Sequence, residues 1–175
     1  MLNTEFITDE QIYDRVVLER IPLAKKYLWI ATSDIKDLHV KKGKSMVPFL
    51  EVLSDLLDKN VLIRLIHAKE PGPNFRKDFD RYPNLTAGLE RVLCPRVHFK
   101  SVIIDGAFIY TGSANLTGAG MGAKSSTRRN FESGIISDDP ILVNSVMKQF
   151  DSVWMGSKCR GCNRKEFCAD YELLK

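Results

Sequence analysis

A chain of 175 residues, 44% hydrophobic and 27% charged, has the balance of an ordinary soluble globule and can bury roughly 70% of its unfolded surface without disulfide staples. No apolar run reaches the length of a membrane span. Met1 to Glu10 has no basic stretch followed by an apolar core, so the expectations are no signal peptide, no integral membrane association and a cytoplasmic home. The net charge of +4 tolerates a polyanionic partner without demanding one.

In chain order, Asp9 to Lys26 reads as an amphipathic helix, with Thr8 as N-cap and Ile12, Val16 and Val17 at helical spacing. Pro22 is expected to bend it or end it early. Tyr27 to Thr32 is short, apolar and bounded, as a buried strand is. A polar loop rich in Lys and Gly follows, then a helix over about Ser45 to Lys59 that places Val47, Leu50, Leu53, Leu56 and Leu57 on one stripe. Val61 to His67 reads as a second buried strand. Pro71 to Glu90 predicts a short helix with an irregular excursion. Val97–Asp105 and Ala107–Thr111 read as strands joined by a turn at Asp105-Gly106. Phe131 to Ser137 is another strand, and Pro140 to Trp154 a closing helix with proline in its first turn. Strands alternating with helices predict an α/β domain, a mixed β-sheet sandwiched between helices, over residues 1–156. Residues 157–175 form a cysteine-rich tail.

Basic residues cluster at Lys41, Lys42 and Lys44, at Lys124, Arg128 and Arg129, and at Lys158, Arg160, Arg164 and Lys165. Each cluster reads either as solvated loop charge or, where it flanks an anion site, as a substrate groove.

The informative stretch runs from Val97 to Asn115. On a strand, His98 and Lys100 share a face while Phe99 points to the opposite layer. An imidazole thus stands beside a fixed ammonium. Gly112-Ser113-Ala114-Asn115 follows the next strand, and its small residues let amides, a hydroxyl and a carboxamide approach an anion. Cleaving a phosphodiester requires neutralised oxygens, an in-line nucleophile and a protonated leaving group. Imidazole can serve as either nucleophile or acid near neutral pH, and lysine and amide donors can stabilise the developing charge without a metal.

The order His98-x-Lys100, Asp105, Gly112-Ser113 and Asn115 closely resembles the HKD signature of the phospholipase D superfamily. That resemblance implies a phosphohistidine on His98, with phosphate held by Lys100, Ser113 and Asn115. Asp105 belongs to the signature, where its counterpart has a structural role, and it also suits turn geometry beside Gly106. Asn130-Phe-Glu132 resembles the downstream acidic position, which implies that Glu132 orients the histidine. The family mechanism uses two histidines from two signatures, and this chain has one: His39 and His67 lack the pattern. A homodimer sharing the active site is therefore implied.

Three of four cysteines lie in Cys159-x₂-Cys162-x₅-Cys168, and the fourth is Cys94. Disulfides are rare in a reducing cytosol, and four thiolates suit a closed metal site. The tail resembles both the [4Fe–4S] staples of several nuclease domains and looser zinc knots. It implies a structural cluster or Zn²⁺ on Cys94, Cys159, Cys162 and Cys168, against the plainer alternative of free thiols on a frayed tail. The combined reading is a phosphodiesterase on nucleic acid, an endonuclease of DNA or RNA. A phospholipid-processing enzyme and a non-catalytic nucleic-acid-binding or redox-sensing module are its rivals.

Overall fold

The computed structural model describes residues 3–36 and 38–170. Its centre, among the described residues, is a seven-stranded mixed sheet with helices packed on both faces, as the alternating pattern predicts. The strands are β1 (Thr4–Thr8), β2 (Tyr27–Thr32), β5 (Leu62–His67), β6 (Leu89–Leu93), β7 (Lys100–Ile104), β8 (Phe108–Gly112) and β9 (Ser133–Ser137), in the order β1-β9-β8-β7-β2-β5-β6. β2, β5 and β6 run parallel, and the remaining pairs are antiparallel. A separate hairpin is formed by β3 (His39–Lys42) and β4 (Ser45–Pro48).

Side chains alternate across this sheet into two cores. Leu28, Ile30, Val102 and Ile104 face the larger core, shared with α2 (Phe49–Asp58), α3 (Pro73–Phe79) and α4 (Pro83–Gly88). Trp29, Ala31 and Ile103 face the smaller one, closed by Val143, Val146 and Phe150 of α5 (Pro140–Trp154). Asp139 caps α5 by accepting the N–H groups of Ile141 and Leu142. Among the described residues no helix is long and apolar enough to cross a membrane.

Several boundaries differ from the sequence expectation. Thr4–Thr8 is an edge strand, and the helix expected over 9–26 is a single α turn, α1 (Glu10–Ile12), widening into a π-helical segment over Tyr13–Leu18. The buried positions explain the widening: Ile12, Val16, Val17 and Ile21 recur every four to five residues, which suits i→i+5 bonding such as Glu19 N–H to Asp14 O. Thr8 does not cap it; Asp9 precedes the helix with φ 49° and no side-chain cap bond. Ser45–Pro48, expected as the first turn of a helix, is a strand, because Pro48 sits at the N-cap with extended ψ. Leu89–Leu93, which begins in the segment expected to be irregular to Glu90 and continues where no element was expected, pairs in parallel with β5.

Candidate phosphate-handling site

One edge of the sheet gathers the motif residues. β2, β5 and β6 end there at Thr32, His67 and Leu93, and β7 starts there at Lys100, opposite Gly112 at the end of β8. Crevices beyond the carboxyl ends of parallel strands are where α/β sheets bind ligands.

His98 lies in the extended lead-in to β7 rather than on the strand itself, and its side chain is exposed. Lys100 is 6% exposed, and its ammonium donates to the His98 carbonyl while lying 3.4 Å from His98 Nδ1. Burial pushes the Lys100 pKa down, and the nearby Glu132 carboxylate opposes that shift without cancelling it. The pair is thus an exposed imidazole beside a largely buried cation whose direction is fixed by a main-chain carbonyl.

Gly112 is required by close approach: a Cβ there would collide with Ser133 O, Tyr110 Oη and the Gly134 Cα across the strand pair. The same pairing sets Ser113 beside the start of β9. Ser113 Oγ donates to the Glu132 carboxylate and accepts the Ser133 N–H at 3.1 Å. Glu132 also accepts from Asn130 Nδ2 at 2.9 Å. The resemblance implied that Glu132 orients His98; here its hydrogen bonds go to Ser113 and Asn130, because the β8–β9 register brings Ser113 closest. Its reach to Lys100 is electrostatic. Nor does Phe131 open a strand: β9 starts at Ser133, and Phe131 is 94% exposed.

Asn115 is held by residues that the sequence did not single out. Its Oδ1 accepts from Ser33 Oγ at 2.7 Å, from the N–H groups of Ser33 and Asp34 at 3.2 Å each, and from Thr32 Oγ1 at 3.3 Å. With the oxygen committed to the β2 end, Nδ2 is left as the donor toward an anion. Ser-Asp after a strand is a faint signal, since such pairs mark turns everywhere.

Asp105 stands at the opposite end of β7, about 17 Å from Lys100 at ordinary strand rise. Its carboxylate accepts the N–H groups of Lys25, Lys26 and Tyr27, and both Asp105 and Gly106 have positive φ, 54° and 65°, as a two-residue I′ turn needs. Desolvation raises its pKa, but the three N–H groups outweigh that and hold it below the usual carboxylate value. It clamps the β7–β8 turn to β2 and takes no place at the phosphate edge, so it does not join the catalytic set.

Lys124, Arg128 and Arg129 lie in the loop that leaves the site at Asn115 and returns at Glu132. Lys124 and Arg128 are exposed, whereas Arg129 is ion-paired with Glu10. Lys42 of the first basic cluster is likewise engaged, by Glu51 and Asp55. His67 is buried, with Nδ1 2.8 Å from Lys69 O, and burial lowers its pKa. It serves the core.

The four cysteines are free thiols. Cys94, Cys159 and Cys162 line one cavity on the α5 side of the His98 segment. Cys168 Sγ lies 3.6 Å from Leu93 O. Among the described residues, no three His, Cys, Asp or Glu side chains are grouped closely enough to hold a single metal ion.

Residues 17–154 match the family described as "Cardiolipin synthase, PLD-like domain". No curated protein matches the sequence. Among solved structures, NucT from Helicobacter pylori superposes with a TM-score of 0.63 at 15% identity, covering 87% of this chain and 95% of that one. Nuc from Salmonella typhimurium, described as a phospholipase D family member, gives 0.62 at 17%, with 87% and 95% covered. The archaeal chromatin protein TrmBL2, described as showing a novel mode of DNA binding, gives 0.59 at 13%, over 87% of this chain and 52% of that one. At these identities the likeness is one of fold. The family match spans most of the chain, and the protein belongs to the phospholipase D-like family.

Proposed function

We propose that this chain hydrolyses phosphodiester bonds in nucleic acid, as a two-fold dimer that brings two His98 imidazoles to one phosphate. The observation that carries the reading is the meeting of His98, Lys100, Ser113 and Asn115 at one sheet edge, with a single motif histidine per chain. One imidazole attacks phosphorus in line, forming a P–N bond as the P–O bond to the leaving group breaks. The other His98, protonated, gives its proton to the departing oxygen. It then takes a proton from the water that cleaves the P–N bond, which restores both groups. Lys100 and the Asn115 amide donate to the non-bridging oxygens, and Ser113 Oγ exchanges Glu132 for phosphate. Such preorganised donors supply the charge stabilisation, so no metal is needed for catalysis.

Support for a nucleic-acid substrate comes from the exposed position of His98 and Ser113, from the cationic loop rooted in the site, and from the likeness in fold to part of TrmBL2, a chromatin protein described as binding DNA. The family description names a lipid-processing enzyme, so the deciding experiment includes lipid. Protein treated with EDTA is assayed against single- and double-stranded DNA, RNA, and cardiolipin vesicles, with its mass measured by sedimentation. Turnover of a nucleic acid by the dimer is expected. Strict Mg²⁺ dependence, turnover of vesicles alone, or full activity in a sedimenting monomer would overturn the reading, and nucleic-acid binding without turnover would leave a binding module.

A further inference from the structure

The segment that carries His98 has two faces. His98 is exposed, while its neighbours Val97 and Phe99 line a cavity of about 140 Å³ whose wall also holds Cys94, Cys159, Cys162 and Arg96. Cys168 joins from the end of the tail. Its thiol lies against the carbonyl of Leu93, the residue before Cys94, and the Asp170 carboxylate accepts the Leu93 N–H at 2.6 Å. Cys168 also interacts electrostatically with both Cys94 and Cys159. Three thiols from two distant parts of the chain therefore line one space, and the fourth is held against the residue that precedes Cys94.

The tail has little else to hold it. From Ser157 to Asp170 no side chain is buried, so hydrophobic packing does not fix it against the domain. Its turns are nevertheless defined. Cys162 N–H donates to Cys159 O at 3.0 Å, and Arg164 N–H donates to Cys162 Sγ at 3.4 Å. An N–H directed at a sulfur two residues back, in a cavity that the Arg96 side chain also lines, is an arrangement that stabilises a metal-bound thiolate from outside its coordination shell.

We propose that Cys94, Cys159, Cys162 and Cys168 hold a [4Fe–4S] cluster that fastens the tail beneath the His98 segment. A single zinc ion would need its four sulfurs about 3.8 Å apart, the edge of a tetrahedron with Zn–S near 2.3 Å, and the side chains are not grouped in that way. A cluster instead takes one thiolate on each of four irons. Its ligands stand further apart around a larger core, which suits three thiols lining one cavity with a fourth beside Leu93, the residue before Cys94. A disulfide would use two of the four and leave the others unexplained. On binding, each thiol gives up its proton and forms one iron–sulfur bond. The resulting anionic centre sits beside Arg96 and Lys158, which line the same cavity.

The cluster's work is positional. Val97 and Phe99 bracket His98 in sequence and form part of the cavity wall, so filling the cavity fixes the backbone from which the imidazole projects. The inference needs only the thiols and the cavity, and it stands or falls apart from the phosphodiesterase reading. The test uses whole protein, purified without oxygen and then reconstituted anaerobically with ferric iron, sulfide and excess dithiothreitol, the thiol reducing half of the iron, with iron, sulfide and zinc measured. The expected result is about four iron and four sulfide per chain, with broad visible absorption that bleaches on reduction by dithionite. Cys162→Ser should load much less iron at unchanged far-ultraviolet circular dichroism. Removing the cluster from wild type should shift the imidazole resonances of His98 but not those of His39. One zinc per chain with no iron after reconstitution would overturn the proposal, and so would four freely titrating thiols with no metal.

Discussion

The two ends of the β7–β8 hairpin carry residues of the same motif and use them in opposite ways. At the turn, Asp105 offers only acceptor oxygens, and three backbone N–H groups occupy them. At the open end, Asn115 binds the close of β2 through its oxygen alone and keeps an N–H₂ donor. Both side chains tie the hairpin to β2. Only the second retains a group that can reach an anion. A short motif can therefore contain a fold clamp at one end and chemical groups at the other, and spacing in sequence does not separate them.

The largest effect should come at the open end. Replacing His98 by Ala removes the proposed nucleophile, so turnover is expected to fall by about 10⁴-fold or more. Because His98 is exposed and has no role in the core, the melting temperature should stay near that of wild type. Steady-state rates on a chromogenic phosphodiester, with a melting curve alongside, check both halves. A variant that kept its rate would remove His98 from the chemistry.

Asn115→Asp sharpens the comparison further. The new carboxylate can still accept from Ser33 and Asp34, so the β2 tie survives, but the donor is replaced by a negative oxygen. A loss of about 10²–10³-fold in kcat is expected, the usual cost of one lost anion donor, with stability little changed. A drop in melting temperature as large as that caused by loss of the turn clamp would show that Asn115 is a second structural tie and no phosphate ligand.

Asp105→Ala should behave in reverse, costing about 2–3 kcal/mol of stability for lost charge-assisted bonds with kcat intact in the folded fraction. Its pH dependence has a definite sign. The carboxyl's pKa is lower in the folded state, so its contribution is fully present above the unfolded value of about 3.9 and is lost as pH falls through the folded value. The gap in unfolding free energy between wild type and Asp105→Asn should narrow from about pH 6 to about pH 3. A gap that widened in acid would contradict the clamp.

The same contrast explains what could be read from the sequence. β2, β5 and α5 are uniform apolar or amphipathic runs whose packing agrees with their local pattern, and Asp105-Gly106 declares its turn because few residues tolerate positive φ. β1 and β6 were missed because they are the sheet's two edges. Most of their side chains are polar or exposed, including Phe6 at 69% and the pair Glu90–Arg91, so only their hydrogen-bonded neighbours make them strands. The motif residues were legible because their types and spacing are restrictive. Their positioning partners were not: Ser33 and Asp34 meet Asn115 from about 80 residues away, and the direction of Glu132 follows from the β8–β9 register.

The smallest effect concerns the loop between the two halves of the site. Lys124 and Arg128 are exposed, and each that contacts a phosphate releases counterions on binding. Neutralising one such residue should reduce the slope of log K against log salt by about one unit and weaken binding evenly across sequences. Arg129 differs because Glu10 already pairs with it. Its replacement by Ala should change the slope by less, since the charge it loses was partly compensated. Glu10→Gln should do the opposite, freeing Arg129 and steepening the slope. Binding isotherms for the four variants at several salt concentrations, on one duplex and one single strand, give the ranking. Equal effects from Arg128 and Arg129 would mean that the Glu10 pair opens when nucleic acid arrives. No change from any of the three cations would make the loop a solvated surface, and the polyanion would have to be held by Lys100 and the amide donors of the site alone.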